Sequence, residues 1–187
     1  MTATTPPTAS PSPGGDRARA ASIGARLAVF AGVLFAGLGS WAILDLQTRL
    51  GGVLVGASGL GLIGAGILAR RSATRLDLVL DSLADRTFDA TVLASIAWAT
   101  RAAEPATSLG ALVAMAAGFL GAYVRAKGTS LGYGVVESPR TRGLRYGLIT
   151  AGLLVDGWVR WTVWAAAGVS ILATLVRSSQ VAKEERA

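Results

Sequence analysis

Long apolar runs, separated by short charged segments, fill most of this 187-residue chain. A helix needs roughly 20 apolar residues to cross a bilayer, where it satisfies its backbone hydrogen bonds internally. With a mean hydropathy of +0.52 and only 16% charged residues, the composition excludes an ordinary soluble domain. The sequence therefore predicts an all-α polytopic membrane protein with six transmembrane helices. The runs lie at 27–44, 50–68, 90–99, 108–124, 144–155 and 161–176, and the third run is extended backwards through an acidic segment.

The fifth run is shorter than a full span, which leaves a five-span alternative with the termini on opposite sides of the membrane. Turn-forming residues follow this run at Asp156–Gly157, so a tight helical hairpin with the sixth run also fits. The positions of Lys and Arg favour six spans, because short cytoplasmic loops are enriched in these residues. Six spans place only Arg49, Arg101 and Arg160 outside and leave Arg86 within a span. Both termini and the site-bearing face are then predicted to be cytoplasmic, in the cell membrane. The cations placed inside are Arg17, Arg19, Arg26, Arg70, Arg71, Arg75, Arg125, Lys127, Arg140, Arg142, Arg145, Arg177, Lys183 and Arg186.

Composition also restricts the chemistry and the partners. The chain has no Cys and no His, which excludes disulfides, thiolate or imidazole metal sites and histidine acid–base catalysis. The net charge of +7 is scattered over the ends of the spans, so topology explains it better than nucleic acid does. The polar, proline-rich N-terminus is typical of a disordered tail. We expect a cytoplasmic tail at 1–22, a membrane domain at 23–178 and a C-terminal cytoplasmic tail at 179–187.

An acidic ladder precedes the third apolar run. Aspartate recurs at every fourth position, which puts successive carboxylates on one side of a helix. Such groups are costly in a membrane helix unless they face a cavity, a partner or a cation, and a divalent metal is the natural candidate. In the alternative, the two outer aspartates pair with arginines such as Arg75 and Arg86. The ladder consists of Asp77, Asp81, Asp85 and Asp89.

The second run is rich in glycine, and its small residues predict either close helix packing or close approach of the backbone to a ligand. At its end, Gly66, Ala69 and Arg70 are followed by Asp81 and Asp85 in the string L-D-S-L-A-D-R. This segment resembles the signature of the CDP-alcohol phosphatidyltransferases, D-x-x-D-G-x-x-A-R, a spacer, and G-x-x-x-D-x-x-x-D. The segments at 122–127 and 130–139 are similar to the loop after the fourth helix in the phosphatidylinositol-phosphate-synthase-like branch.

The resemblance implies a six-helix enzyme that transfers a substituted phosphate from a CDP-linked lipid or alcohol to a hydroxyl acceptor and releases CMP. It implies Mg²⁺ or Mn²⁺ as cofactor, a membrane-lipid environment and a homodimer. By position, Asp85 corresponds to the catalytic base. The other implied residues are Asp81, Asp85 and, as a substitute ligand, Asp77 for metal; Gly66, Ala69 and Arg70 for the nucleotide; and Arg125, Lys127 and Arg142 for the acceptor or a phosphate.

The sequence also departs from the family pattern. The first two signature aspartates fall at Leu62 and Ala65, and no acidic residue occurs between Asp45 and Asp77. Half of the carboxylate cage is therefore missing, and Asp77 stands where the family has glycine. Three functions remain open, and the first two are a transferase, intact or impaired, and an inactive relative that acts as partner or regulator of a lipid-synthetic membrane enzyme. An ion transporter that uses the ladder is a third, since intramembrane carboxylates mark ion routes.

Overall fold

The part of the chain that the structure describes forms six α-helices and no strand. A computed structural model describes residues 13–72, 74–135 and 139–185. The all-α prediction is confirmed, with one helix on each predicted apolar run. The helices are α1 (Pro13–Leu44), α2 (Thr48–Ser72), α3 (Arg75–Thr100), α4 (Pro105–Ser130), α5 (Pro139–Leu154) and α6 (Val159–Glu184).

Local sequence signals explain where several helices begin and end. The side chain of Thr74 accepts a hydrogen bond from the backbone N–H of Asp77, which caps the start of α3. Proline opens α4 at Pro105, where its missing N–H costs no hydrogen bond. The predicted turn at Asp156 and Gly157 is confirmed, since Gly157 adopts a φ of +79° that favours glycine.

Two terminal helices extend beyond the predicted membrane domain. Residues 13–22 of the predicted N-terminal tail belong to α1, because an alanine-rich stretch with Asp16 in the first turn favours a helix. At the other end, α6 continues to Glu184 and includes most of the predicted C-terminal tail. Residues 1–12 and 186–187 of the two predicted tails lie outside the described residues.

Four of the six helices are long and apolar enough to cross a membrane: α1 from Asp16, α2, α4 and α6. The protein is therefore a multi-pass membrane protein. α3 does not qualify because the aspartate ladder and Arg86 interrupt its apolar residues, and α5 is only 16 residues long. Six spans with cytoplasmic termini stay a prediction.

The helices pack as a ring in the order α1, α2, α5, α6, α4 and α3, and α2 also contacts α3 across it. Among the described residues, no Cα atom of α3 lies within 8 Å of α5. These two helices therefore face each other across the interior of the ring, and only side chains bridge the gap. The ladder and α5 occupy the two sides of this gap.

Glycines allow α1 and α2 to approach closely. A Cβ added to Gly39 would lie 3.2 Å from the carbonyl oxygen of Gly51, and one added to Gly51 would lie 3.2 Å from that of Gly39. The same holds between α2 and α5, where a Cβ on Gly59 would lie 3.1 Å from the ring of Tyr146. The small residues of the second run thus serve helix packing, as predicted.

We expect Gly39→Val to destabilise the protein by about 1–3 kcal/mol, because backbone atoms of α2 cannot move aside for the new side chain. Thermal unfolding in detergent would measure the loss. Gly37→Val is the matched control, since a Cβ at Gly37 meets nothing within 4 Å. Equal melting temperatures for the two variants would contradict the packing described here.

Candidate functional site

Asp81, a buried residue in the second turn of α3, pairs with an arginine of α5. Its two carboxylate oxygens accept hydrogen bonds from Nη1 and Nη2 of Arg142 in α5, at 2.8 and 3.2 Å. Gly66 of α2 lies against this pair, because a Cβ there would be 3.1 Å from the carboxylate and 3.2 Å from the guanidinium. The bidentate geometry is the strongest form of an arginine–carboxylate contact.

Asp85 is the most heavily engaged carboxylate of the ladder and is 1% exposed. Its Oδ1 accepts a hydrogen bond from the hydroxyl of Tyr146 at 2.6 Å and one from Nη2 of Arg145 at 3.1 Å. Nε of Arg142 lies 3.3 Å from the same oxygen, and Arg86 pairs with Oδ2. Three guanidinium groups therefore surround the position predicted for the catalytic base.

Asp89 continues the ladder one turn deeper and is fully buried. Its Oδ2 lies 3.0 Å from Arg145 and 3.1 Å from Arg86, within ion-pair distance although neither contact has hydrogen-bond geometry. Arg86 also donates to the carbonyl oxygen of Gly118 in α4 at 2.6 Å. The predicted pairing of Asp89 with Arg86 is confirmed.

Asp77 belongs to a different group of contacts. It is 1% exposed and accepts hydrogen bonds from Nε of Arg26 in α1 at 2.9 Å and from the hydroxyl of Ser72 at 2.7 Å. The predicted arginine partner is thus found, but it is Arg26 rather than Arg75. Arg26 lies in α1 and Ser72 ends α2, so the arginine partner of Asp77 differs from that of Asp81.

Apolar side chains stand at the two positions where the family signature has its first aspartates. Leu62 and Ala65 are both fully buried in α2. Leu62 packs against α1, since a Cβ added to Gly32 would lie only 2.6 Å from its Cδ2 atom. Helix α2 therefore contributes apolar side chains at the two positions where the family signature has carboxylates.

The predicted nucleotide-binding residues border a small cavity. Gly66, Arg70 and Arg142 line it together with Ile63 and Ile67, and its volume is about 70 Å³. Ala69, the third predicted residue, is buried in α2. This volume is smaller than the roughly 300–1,000 Å³ of typical ligand pockets.

The predicted acceptor-binding residues have separate surroundings. Arg125 donates to the hydroxyl of Ser82 at 3.1 Å and lines a broad, open cavity at the end of α4. Lys127 is exposed in the last turn of α4, whereas Arg142 is buried on the ladder. Residues 136–138 of the loop similar to the synthase-like branch lie outside the described residues.

The donor set does not fit the divalent metal centre implied by the resemblance. Mg²⁺ and Mn²⁺ require a shell of oxygen ligands, of which carboxylates supply the charge. Here α2 offers Leu62 and Ala65, while guanidinium groups cover the oxygens of Asp81 and Asp85. Within the described part of the chain, no three Asp, Glu, His or Cys side chains are grouped so that they could hold a metal ion.

Sequence reasoning missed Arg145 and Tyr146 as members of this site. Both are buried, and Tyr146 also packs on Phe88 of α3 with ring centroids 4.1 Å apart. A signal was present: Arg142 and Arg145 are one helical turn apart in a segment that leads into an apolar run. Buried arginines need a charged partner, and the ladder supplies it.

Comparison with solved structures places this architecture among known folds. One crystal structure, of phosphatidylinositol phosphate synthase from Mycobacterium tuberculosis with CDP-DAG bound, superposes with a TM-score of 0.68. The match covers 90% of this chain and 93% of that chain at 19% sequence identity. The two chains share one fold. At this identity the likeness establishes the architecture alone, and the six-helix layout implied by the resemblance is confirmed to that extent.

Two further structures of the same enzyme agree with this fold assignment. The apo form gives a TM-score of 0.69 at 19% identity, over 86% of this chain and 88% of that chain. The complex with manganese and citrate gives 0.67 at 18% identity, over 90% and 88%. No family model and no curated protein matches the sequence.

Proposed function

We propose that this multi-pass membrane protein belongs to phospholipid biosynthesis as a catalytically inactive relative of the CDP-alcohol phosphotransferases. It acts as a partner or regulator of a lipid-synthetic membrane enzyme. One observation carries the proposal: the carboxylates of the would-be metal site are neutralised by arginine. Asp81, Asp85 and Asp89 contact Arg86, Arg142 and Arg145, so three negative charges meet three positive ones.

Charge balance argues against a metal-assisted reaction at this site. A divalent cation bound beside Asp81 and Asp85 would be repelled by Arg142 and Arg145, which lie within 3.3 Å of the same oxygens. Displacing a buried arginine would leave its charge without a partner, which is strongly unfavourable.

The fold supports the link to phospholipid metabolism. A neighbour with the same architecture over nine-tenths of this chain is a phosphatidylinositol phosphate synthase, crystallised with CDP-DAG. We further propose that six helices span the cell membrane with both termini and the ladder's start on the cytoplasmic side. Homodimerisation, as in the family, is part of the proposal.

An active transferase is the second candidate function. It is favoured by the signature residues Gly66, Ala69 and Arg70 and by Asp85, whose carboxylate accepts a 2.6 Å hydrogen bond from Tyr146. In this candidate, Asp85 takes the proton of the acceptor hydroxyl, while Arg125 and Lys127 bind the acceptor. Mg²⁺ or Mn²⁺ would neutralise the diphosphate of a CDP-linked donor in the family's manner.

A CMP-release assay separates the two candidates. Purified protein in lipid vesicles would be given CDP-diacylglycerol, Mg²⁺ or Mn²⁺, and inositol phosphate or glycerol phosphate. We expect no CMP above background, whereas the Mycobacterium tuberculosis synthase in the same vesicles serves as the positive control. Metal-dependent CMP release that Asp85→Asn abolishes would establish the transferase instead.

The partner role has its own test. Tagged protein purified from native membranes is expected to bring down an identified membrane enzyme of phospholipid synthesis, whose turnover changes when the protein is added back. A lipid-facing variant such as Leu83→Ala, at an exposed position of α3, controls for general effects of substitution. Unchanged turnover of every co-purified lipid-synthetic enzyme would refute this role.

A further inference from the structure

We infer that Arg142 and Arg145 have taken the place of metal ions as the counter-ions of the α3 carboxylates. The register of the two helices carries this inference. Arg142 contacts both Asp81 and Asp85, at 2.8 and 3.3 Å, and Arg145 contacts both Asp85 and Asp89, at 3.1 and 3.0 Å. Each arginine thus bridges two consecutive carboxylates, as a shared cation would.

Guanidinium chemistry suits this role. Arginine stays charged in any protein environment and presents planar donors that match a carboxylate. Nη1 and Nη2 of Arg142 donate hydrogen bonds to Asp81, and Nε of the same side chain lies 3.3 Å from Oδ1 of Asp85. These three nitrogens are therefore already engaged within the protein, so a phosphate that recruited Arg142 would take from Asp81 the guanidinium that contacts both of its carboxylate oxygens. The arginine serves the ladder rather than an external anion.

The bridging position has a structural consequence. The backbones of α3 and α5 stay more than 8 Å apart in Cα–Cα distance throughout the described residues. The arginine–aspartate contacts, the hydroxyl of Tyr146 on Asp85 and the ring contact between Phe88 and Tyr146 link the two helices. The bundle therefore closes its interior with its own side chains and needs no bound ion to do so.

Thermal unfolding with and without Mn²⁺ tests the inference on the full chain in detergent. The wild-type melting temperature is expected to be the same in Mn²⁺ and in EDTA. Arg142→Ala should melt about 10 °C lower in EDTA, because it removes the guanidinium that pairs with buried Asp81 and one of those around Asp85. Part of that loss should return on adding Mn²⁺, which can then reach Asp81 and Asp85.

Two results would overturn the inference. One is stabilisation of the wild type by Mn²⁺ that Asp81→Asn removes, since the metal would then be the natural counter-ion. The other is an Arg142→Ala variant whose melting temperature ignores Mn²⁺, because the contact would then be an ordinary ion pair. If Arg142→Ala fails to fold, Arg142→Gln replaces it in the same comparison, and a melting temperature that ignores Mn²⁺ would overturn the inference in that variant too.

An exposed pair of the same chemistry is the matched control. Arg49 and Asp156 lie 2.5 Å apart with both side chains 72% exposed. Arg49→Ala should change the melting temperature by at most a degree or two and give no Mn²⁺ response. This experiment reads unfolding rather than CMP, so its failure is distinguishable from failure of the proposed function.

Discussion

Asp85→Ala will lower the free energy of unfolding by about 3–5 kcal/mol, the cost of leaving buried charges without their partner. Asp85 sits at the centre of the ladder, where Arg86, Arg142 and Arg145 all contact its carboxylate and Tyr146 donates to it. Removing the carboxylate leaves three guanidinium groups to share two remaining carboxylates and leaves the tyrosine hydroxyl without its acceptor. Chemical or thermal denaturation in detergent micelles would measure the loss.

Asp156→Ala is the control for this experiment. Asp156 also pairs with an arginine, but the pair is exposed, and such pairs contribute about 0–1 kcal/mol. We therefore expect a large difference in stability between the two variants. An Asp85→Ala protein as stable as Asp156→Ala would mean that the buried arginines do not depend on this carboxylate, and the description of the ladder would be wrong.

Restoring an aspartate to the signature will harm this protein rather than revive it. Leu62→Asp should cost about 3–5 kcal/mol, because a carboxylate would replace a fully buried leucine that packs against Gly32 of α1. The new carboxylate would replace an apolar side chain of the buried core. Stability is again measured by unfolding in micelles, and CMP release should remain at background.

Leu62→Met provides the comparison, since a volume-conserving apolar change usually costs less than about 1.5 kcal/mol. If α2 retained an intact metal pocket, the Leu62→Asp variant would bind Mn²⁺ more tightly than the wild type and would remain stable. A stable Leu62→Asp variant that binds Mn²⁺ would therefore contradict the conclusion that α2 no longer forms part of a metal site. Loss of stability without metal binding is the result that we expect.

The helices were largely predictable because their signals are local. Apolar runs located all six, Asp156 with Gly157 predicted the turn before α6, and four-residue spacing placed the ladder on one side of α3. Terminal boundaries were less predictable, because alanine-rich polar segments such as residues 13–22 suit either a tail or a helix extension. Tertiary contacts, which the spacing does not encode, decide between these outcomes.

The partners of the ladder depend on such tertiary contacts. Asp89 pairs with Arg86 three residues away, as local spacing predicted, whereas Asp77 pairs with Arg26, 51 residues away. The pairing of Asp85 with Arg145 spans 60 residues and requires the ring arrangement of the helices. The sequence alone thus identified the carboxylates and predicted that they need a cation. Which arginine contacts each carboxylate depends on how the helices pack.

The charge balance between α3 and α5 also bears on how these two helices enter a membrane. Neither helix is among the four that are apolar enough to cross a membrane, yet their opposite charges cancel when they meet. The ribosome completes α3 and α4 before it reaches α5, so the acidic helix emerges well before its arginines. In the proposed six-span topology, we therefore expect α3 to enter the bilayer stably only together with α5, as a joint event.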